Sequence, residues 1–217
     1  MTLELKNVTI RPCGGCDPLF APFSLVIPAG GVTTVIGRSG IGKSTLIDFI
    51  GGHLPASFEA DGQTFLDGRE VTRLPAEVRQ IGILFQDALL FPHLSVGDNL
   101  AFGLARHVRG RAQRRERVEE ALKQAGIGGF YDRDPDTLSG GQRARAALMR
   151  TLLAEPKALL LDEPFAKLDP ERRADIRTFV FEHIRDRNVP VLMVSHDEDD
   201  AHAAGGPVLR LDEGQAE

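Results

Sequence analysis

Hydrophobic positions in the first third of the chain fall at every second residue. Leu3 and Leu5, and later Leu25 and Ile27, alternate with polar neighbours, the period of half-buried antiparallel strands. Val32–Ile36 is a β-branched run that stops at Gly37, and the pattern then becomes helical, with Leu46, Ile47 and Ile50 on one face. Residues 61–68 read as a turn-flanked hairpin, and 81–85 as a short apolar strand.

From about residue 87 to 150 the spacing is that of helices. Val118, Ala121, Leu122 and Ala125 form one stripe that ends at Gly126, and Gly140–Leu153 is a second helix with Ser139 in the capping position. Strand and helix then alternate: 158–161, 172–187, 191–194, 198–204 and 208–211. Such alternation predicts an α/β protein with a mainly parallel sheet covered by helices on both faces. An N-terminal antiparallel β region and an inserted α-helical subdomain complete the expected fold. The expected organisation is one domain over 1–217, with 1–86 and 151–217 as the α/β core and 87–150 as the helical insertion.

Between the buried run and the first helix lies Gly37-Arg38-Ser39-Gly40-Ile41-Gly42-Lys43-Ser44, which fits G-x-x-x-x-G-K-[ST]. Glycines let successive backbone N–H groups converge on phosphate oxygens, and the helix that follows, with Thr45 in its first turn, adds its positive dipole end. Lys43 would reach the outer phosphates and Ser44 would ligate Mg²⁺. A second apolar strand runs into Asp162-Glu163-Pro164, which places two carboxylates at the ligand edge of the sheet. Asp162 suits the metal. Glu163, where the chain leaves the sheet, suits a base that takes a proton from attacking water. The two motifs together point to nucleotide hydrolysis.

Leu138-Ser139-Gly140-Gly141-Gln142 resembles the signature of ATP-binding cassette (ABC) ATPases. Other segments resemble the family in the same order: Gln86 its Q-loop glutamine, Leu168-Asp169 its D-loop, and Ser195-His196-Asp197 its switch-histidine region. This resemblance spans about residues 2–212 and implies a P-loop NTPase fold with ATP and Mg²⁺ as cofactors. It implies that His196 contacts the γ-phosphate, that Gln86 senses Mg²⁺ and water, and that Ser139, Gly140, Gly141, Gln142 and Asp169 act in trans. In the family each ATP is held between the cradle of one subunit and the signature of the other, in a head-to-tail homodimer. Physically, a helix start capped by Ser139 is a second anion-binding end in a chain with one lysine cradle.

The resemblance also implies integral-membrane permease subunits, a solute-binding protein, and a place on the cytoplasmic face of the cell membrane. Residues 90–99, Leu-Phe-Pro-His-Leu-Ser-Val followed by Asn99, resemble importer ATPases for polyamines, sulfate, iron(III) or thiamine. The short insertion, and a chain that ends soon after His196, fit a compact importer cassette without a C-terminal regulatory domain. An export ATPase, or an ATPase that remodels a macromolecule without a permease, are the alternatives.

Composition narrows the rest. The 217 residues are 42% hydrophobic and 26% charged, ordinary for a globular chain. No apolar run approaches the roughly 20 residues of a bilayer-spanning helix, and residues 1–10 lack the apolar centre of a signal peptide. A net charge of −5 offers nucleic acid no attracting field, and no nucleic-acid partner is expected. Residues 106–123 mix seven basic side chains with glutamates, as a solvated helix face does. Two cysteines suit a reducing compartment.

Two segments depart from the family pattern. Residues 11–16, Arg-Pro-Cys-Gly-Gly-Cys, lack the aromatic that the family stacks on adenine near position 12, which leaves Phe20 as the substitute. The D-loop carries Ala166-Lys167 where a Ser-Ala pair is commoner. Cys13 and Cys16 supply two ligands with no second pair to complete a zinc site, so they read as a loop, with a thiol switch as the side reading.

Overall fold

A computed structural model describes residues 1–15 and 17–211, with the side chains of 170–172 left aside. Cys16 lies outside the described residues. In chain order the elements are β1 (Thr2–Pro12), β2 (Phe23–Pro28), β3 (Val32–Ile36), α1 (Lys43–Gly51), β4 (Phe58–Leu66), β5 (Arg69–Glu70) and β6 (Ile81–Leu84). There follow α2 (Val96–Phe102), α3 (Arg111–Gln124), α4 (Gly140–Leu153), β7 (Ala158–Asp162), α5 (Pro170–Arg185), β8 (Val191–Ser195), α6 (Glu198–Ala204) and β9 (Val208–Arg210). The strands form an antiparallel sheet in the order β2-β1-β4-β5 and a five-stranded sheet in the order β6-β7-β8-β3-β9. Within the second, β3 runs parallel to β8 and β9, and β7 parallel to β8.

The chain forms two compact units, one of Met1–Ile83, Lys157–Glu163 and the described residues from His183 onward, the other of Leu84–Pro156 and Pro164–Glu182. The hydrophobic pattern assigned all of 151–217 to the α/β core, whereas Pro164–Glu182 groups with the helices. Packing accounts for this. Ile176 lies against Gly141, Arg145 stacks over Phe179, and Phe181 meets Phe165 edge-on.

In the first unit a single core joins Leu3, Leu5, Ile10 and Ile27 of the antiparallel sheet to Leu46, Ile47 and Ile50 of α1 and to Val35, Leu160, Leu192 and Val194 of the parallel strands. β3, β7 and β8 are buried at every position, as strands covered on both faces must be. The inward positions of β1 change phase between Leu5 and Val8, and the ladders to β2 and β4 shift register there. Asn7 (φ 47°) and the facing Gly62 (φ 105°) form this bulge, and a Cβ at Gly62 would lie 2.6 Å from Asn7 O. The expected hairpin over 61–68 is thereby corrected. Asp61-Gly62 lies inside a continuous β4, and the chain turns only at Asp67-Gly68, between Leu66 and its partner Arg69.

α1 is fastened at its C-terminal end by Arg79. Its Nη1 donates to Phe49 O and Ile50 O at 2.8 Å, its Nη2 to Thr72 O at 2.6 Å and its Nε to Leu74 O at 2.8 Å. The side chain is 6% exposed, and burial pushes the guanidinium pKa down from its ordinary value. A cation at the negative end of the helix is favourable, and it adds to the capping bond there, from Gly52 N to Phe49 O at 3.3 Å. Arg79→Met is expected to cost ~3 kcal/mol of stability, the scale of losing charged hydrogen bonds to buried acceptors. Urea unfolding checks this, and a loss below about 1 kcal/mol would reject the role.

In the second unit the α3 stripe is buried as its spacing predicts, at Val118, Ala121, Leu122 and, just beyond the helix, Ala125. α2 packs against α3 and α4. Asn99, fully buried on α2, organises the preceding loop: its Nδ2 donates to the carbonyls of Phe91, Leu94 and Ser95, and its Oδ1 accepts from Phe91 N at 2.7 Å. Among the described residues, no helix is long and apolar enough to cross a membrane.

Candidate functional site

Parallel register sets the site. Ile36, the last residue of β3, is paired with Ser195 of β8 and Arg210 of β9, and Asp162, the last of β7, is paired with Val194. The carboxyl ends of adjacent strands therefore deliver Gly37, Asp162-Glu163 and Ser195-His196 to one edge of the sheet, where α/β proteins bind ligands.

Residues 37–42 link β3 to α1. Arg38, Ser39 and Gly40 are exposed, while Ile41 is tucked into the core. Gly42 caps α1 at φ 101°, and a Cβ there would lie 2.7 Å from Leu19 Cδ1, so this position requires glycine. α1 then starts with Lys43, an exposed Ser44 and a half-buried Thr45. The N–H groups of its first turn have no partner within the helix and face the loop.

Five side chains meet beside this loop. Lys43 is 4% exposed, and its Nζ donates to Gly37 O at 2.8 Å and Arg38 O at 3.2 Å. It also lies 3.5 Å from Glu163 Oε1, while the other oxygen, Oε2, is 3.2 Å from His196 Nδ1. Glu163 thus stands between a buried cation and a half-exposed imidazole. Its backbone N–H donates to Val194 O at 3.0 Å and its φ is 43°. That conformation is uncommon for a residue with a side chain and is of the kind that gathers at functional sites. On the other side of the strand end, Ser44 Oγ donates to Asp162 Oδ1 at 2.9 Å. Burial pushes the Asp162 carboxyl above the usual carboxylate range, and the Ser44 hydrogen bond pulls it back.

A cavity of about 360 Å³ opens next to these groups, lined by Ile36, Gly37, Arg38, Ile41, His196 and Arg210, with Leu211. The turn that presents His196 is itself held in place. Buried Ser195 donates through Oγ to buried Asp200 at 2.9 Å and accepts from Asp197 N at 3.0 Å.

Gln86, Ser139, Gly140, Gly141, Gln142 and Asp169 lie in the second unit. Gln86 is exposed just after β6. Ser139 and Gln142 form a reciprocal capping box on α4, with Gln142 N donating to Ser139 Oγ and Ser139 N to Gln142 Oε1. Gly140 stays exposed, whereas Gly141 is packed on Ile176. Asp169 is exposed at the entry to α5, where its carbonyl accepts from Arg173 N. Phe20 does not serve as a stacking platform: it is fully buried, with its ring 5.7 Å from that of Phe23. Cys13 is an exposed free thiol that donates to Ala56 O.

A sequence model of the ABC transporter family matches residues 20–166. The chain belongs to the ABC transporter family. This ABC ATPase is 46% identical over 201 residues to the uncharacterized ABC transporter ATP-binding protein YnjD of Escherichia coli K12, covering 93% of this chain and 91% of that one. It is 40% identical over 213 residues to the Fe(3+) ions import ATP-binding protein FbpC of Photorhabdus laumondii, covering 98% of this chain and 59% of the relative's length. Among solved structures, it is similar to the dimeric ATP-binding cassette MJ0796 bound to ADP and Pi in a post-hydrolysis state. There the TM-score is 0.81 at 29% identity, over 99% of this chain and 96% of that one.

Several residues of this ABC ATPase were not singled out by sequence. Asp200, on the short α6, accepts from the Ser195 hydroxyl five residues earlier, and no motif marks it in the chain. Arg79 carried no signal, because its acceptors are backbone carbonyls of segments up to 30 residues away.

Proposed function

We propose that this ABC ATPase energises import of a small solute through separate membrane permease subunits, closing as a head-to-tail homodimer around two ATP molecules. The observation that carries the catalytic part is the Glu163 carboxylate placed between Lys43 and His196, next to the Ser44–Asp162 pair. Import rests on the printed role of the FbpC relatives and on the loop over 90–99 that buried Asn99 organises. The chain spans about three-fifths of those relatives' length.

The backbone N–H groups of residues 37–45 bind the phosphate chain, and Lys43 Nζ turns from the Gly37 and Arg38 carbonyls to the outer phosphate oxygens. Glu163 accepts a proton from water in line with the γ-phosphate, and His196 orients that carboxylate through its Oε2. Ser44 and Asp162 are hard oxygen donors of the type Mg²⁺ takes together with phosphate oxygens. They would hold the ion, with Gln86 reporting on it, and the ion would neutralise charge on the β- and γ-phosphates. Ser139, Gly140, Gly141, Gln142 and Asp169 of a second copy complete each site, the capped α4 turning its N-terminal end to the γ-phosphate. The cassette sits on the cytoplasmic face of the membrane, with a solute-binding protein on the other side.

Partner capture tests this reading. Tagged Glu163→Gln, extracted in mild detergent with ATP and Mg²⁺, is expected to bring down a polytopic membrane protein and, through it, a solute-binding protein. Capture of soluble partners alone, with the protein absent from membranes, would replace import by remodelling of a macromolecule. A permease with no solute-binding protein would favour export.

A further inference from the structure

We propose that Lys167 is a positioning residue for the Gln86 segment, acting through an ion pair with Asp87. This rests on the role given above to Gln86. Lys167 Nζ donates to Asp87 Oδ1 at 2.5 Å, across 80 residues of sequence and within the second unit. The two ends differ in rigidity. Lys167 belongs to the turn Phe165–Leu168, closed by Leu168 N donating to Phe165 O at 3.2 Å and anchored by the fully buried Phe165 ring against Phe181. The partner segment is exposed at Phe85, Gln86 and Asp87, and its one local turn is Leu89 N donating to Asp87 O.

The pair also lies in the wall of a cavity. Segments 84–88, 138–144 and 164–168 surround a cavity of about 330 Å³, with Gln86, Leu138, Gly140 and Leu168 in its wall. Arg143 is the other cation of that wall, and it is engaged by Asp136 at 3.7 Å and Pro135 O at 3.3 Å. Lys167 is the cation of that wall that pairs with Asp87. An anchored lysine so holds an otherwise exposed segment in register with the signature helix start and the turn that leads to Asp169. Both side chains are more than half exposed, so the restraint is a few-fold effect that salt weakens.

The test uses the full chain and two readouts. Amide hydrogen exchange over 85–89 is expected to quicken roughly two- to fivefold in Lys167→Met and in Asp87→Asn, the range exposed pairs provide. Lys167→Arg and the charge-swapped pair Asp87→Lys with Lys167→Asp should return it to the parent rate, and about 0.5 M salt should erase the difference between parent and Lys167→Met. In ATP hydrolysis, kcat should fall by a similar factor with KM unchanged, and recover in the same two variants. Unchanged exchange in Lys167→Met, failure of the swap to restore it, or faster exchange with parental kcat would each overturn the proposal. A parent that hydrolyses no ATP would count against the catalytic reading, while the exchange measurement would still decide the ion pair.

Discussion

Glu163→Gln is expected to lower kcat for ATP hydrolysis by about 10²–10⁴-fold, the range of a lost general base, with ATP affinity changed little. The amide keeps the size of the side chain and an oxygen for Lys43, which lies 3.5 Å from Oε1. It cannot accept a proton. His196, 3.2 Å from Oε2, then has no carboxylate to orient. Because bound ATP persists, the closed homodimer should also persist, seen by light scattering as a doubled mass with ATP and the monomer without it. Steady-state phosphate release measures the first effect, and turnover within about threefold of the parent would remove Glu163 from the role of base.

Lys43→Ala acts on binding instead. Lys43 is the buried cation of the loop and its ammonium reaches two carbonyls and Glu163. Charged hydrogen bonds contribute about 1.5–3 kcal/mol, so ATP affinity should drop by roughly 10–150-fold. Removal of the lysine also leaves Glu163, itself only 16% exposed, without its nearest cation, so the melting temperature of the nucleotide-free protein should fall as well. Titration calorimetry with ATP decides the matter. An affinity within about threefold of the parent, in a variant that still melts cooperatively, would place the phosphates elsewhere.

Much of the fold was legible because its signals are local. Five consecutive buried residues in β3, the glycine-lysine loop behind it and the helical stripe of α1 are neighbours in sequence, and their chemistry follows from spacing alone. The same holds for the Ser139 cap of α4 and for the α3 stripe. Legibility ended where two local signals competed. Asp61-Gly62 and Asp67-Gly68 are equally good turn dipeptides, and the facing bulge at Asn7 is what makes the first a kink inside β4 and the second the turn. Phe20 looked available for stacking because an aromatic before β2 carries no mark of which face it takes, and the core took it.

By itself, then, the sequence determined the glycine-lysine loop between β3 and α1, the strand that ends in two carboxylates, the capped helix and the family to which they belong. Each is a run of adjacent residues whose side-chain types and period suffice. Only the tertiary structure decided which of these residues touch. Ser44 meets Asp162 across 118 residues because parallel strands end at one level, and the same register brings Lys43 and His196 to the two oxygens of Glu163. Arg79 on the α1 carbonyls and Lys167 on Asp87 likewise depend on packing that lends long flexible cations a fixed acceptor. Pairing at such separations leaves no period in the chain, since its free energy arises only after the intervening segments have folded.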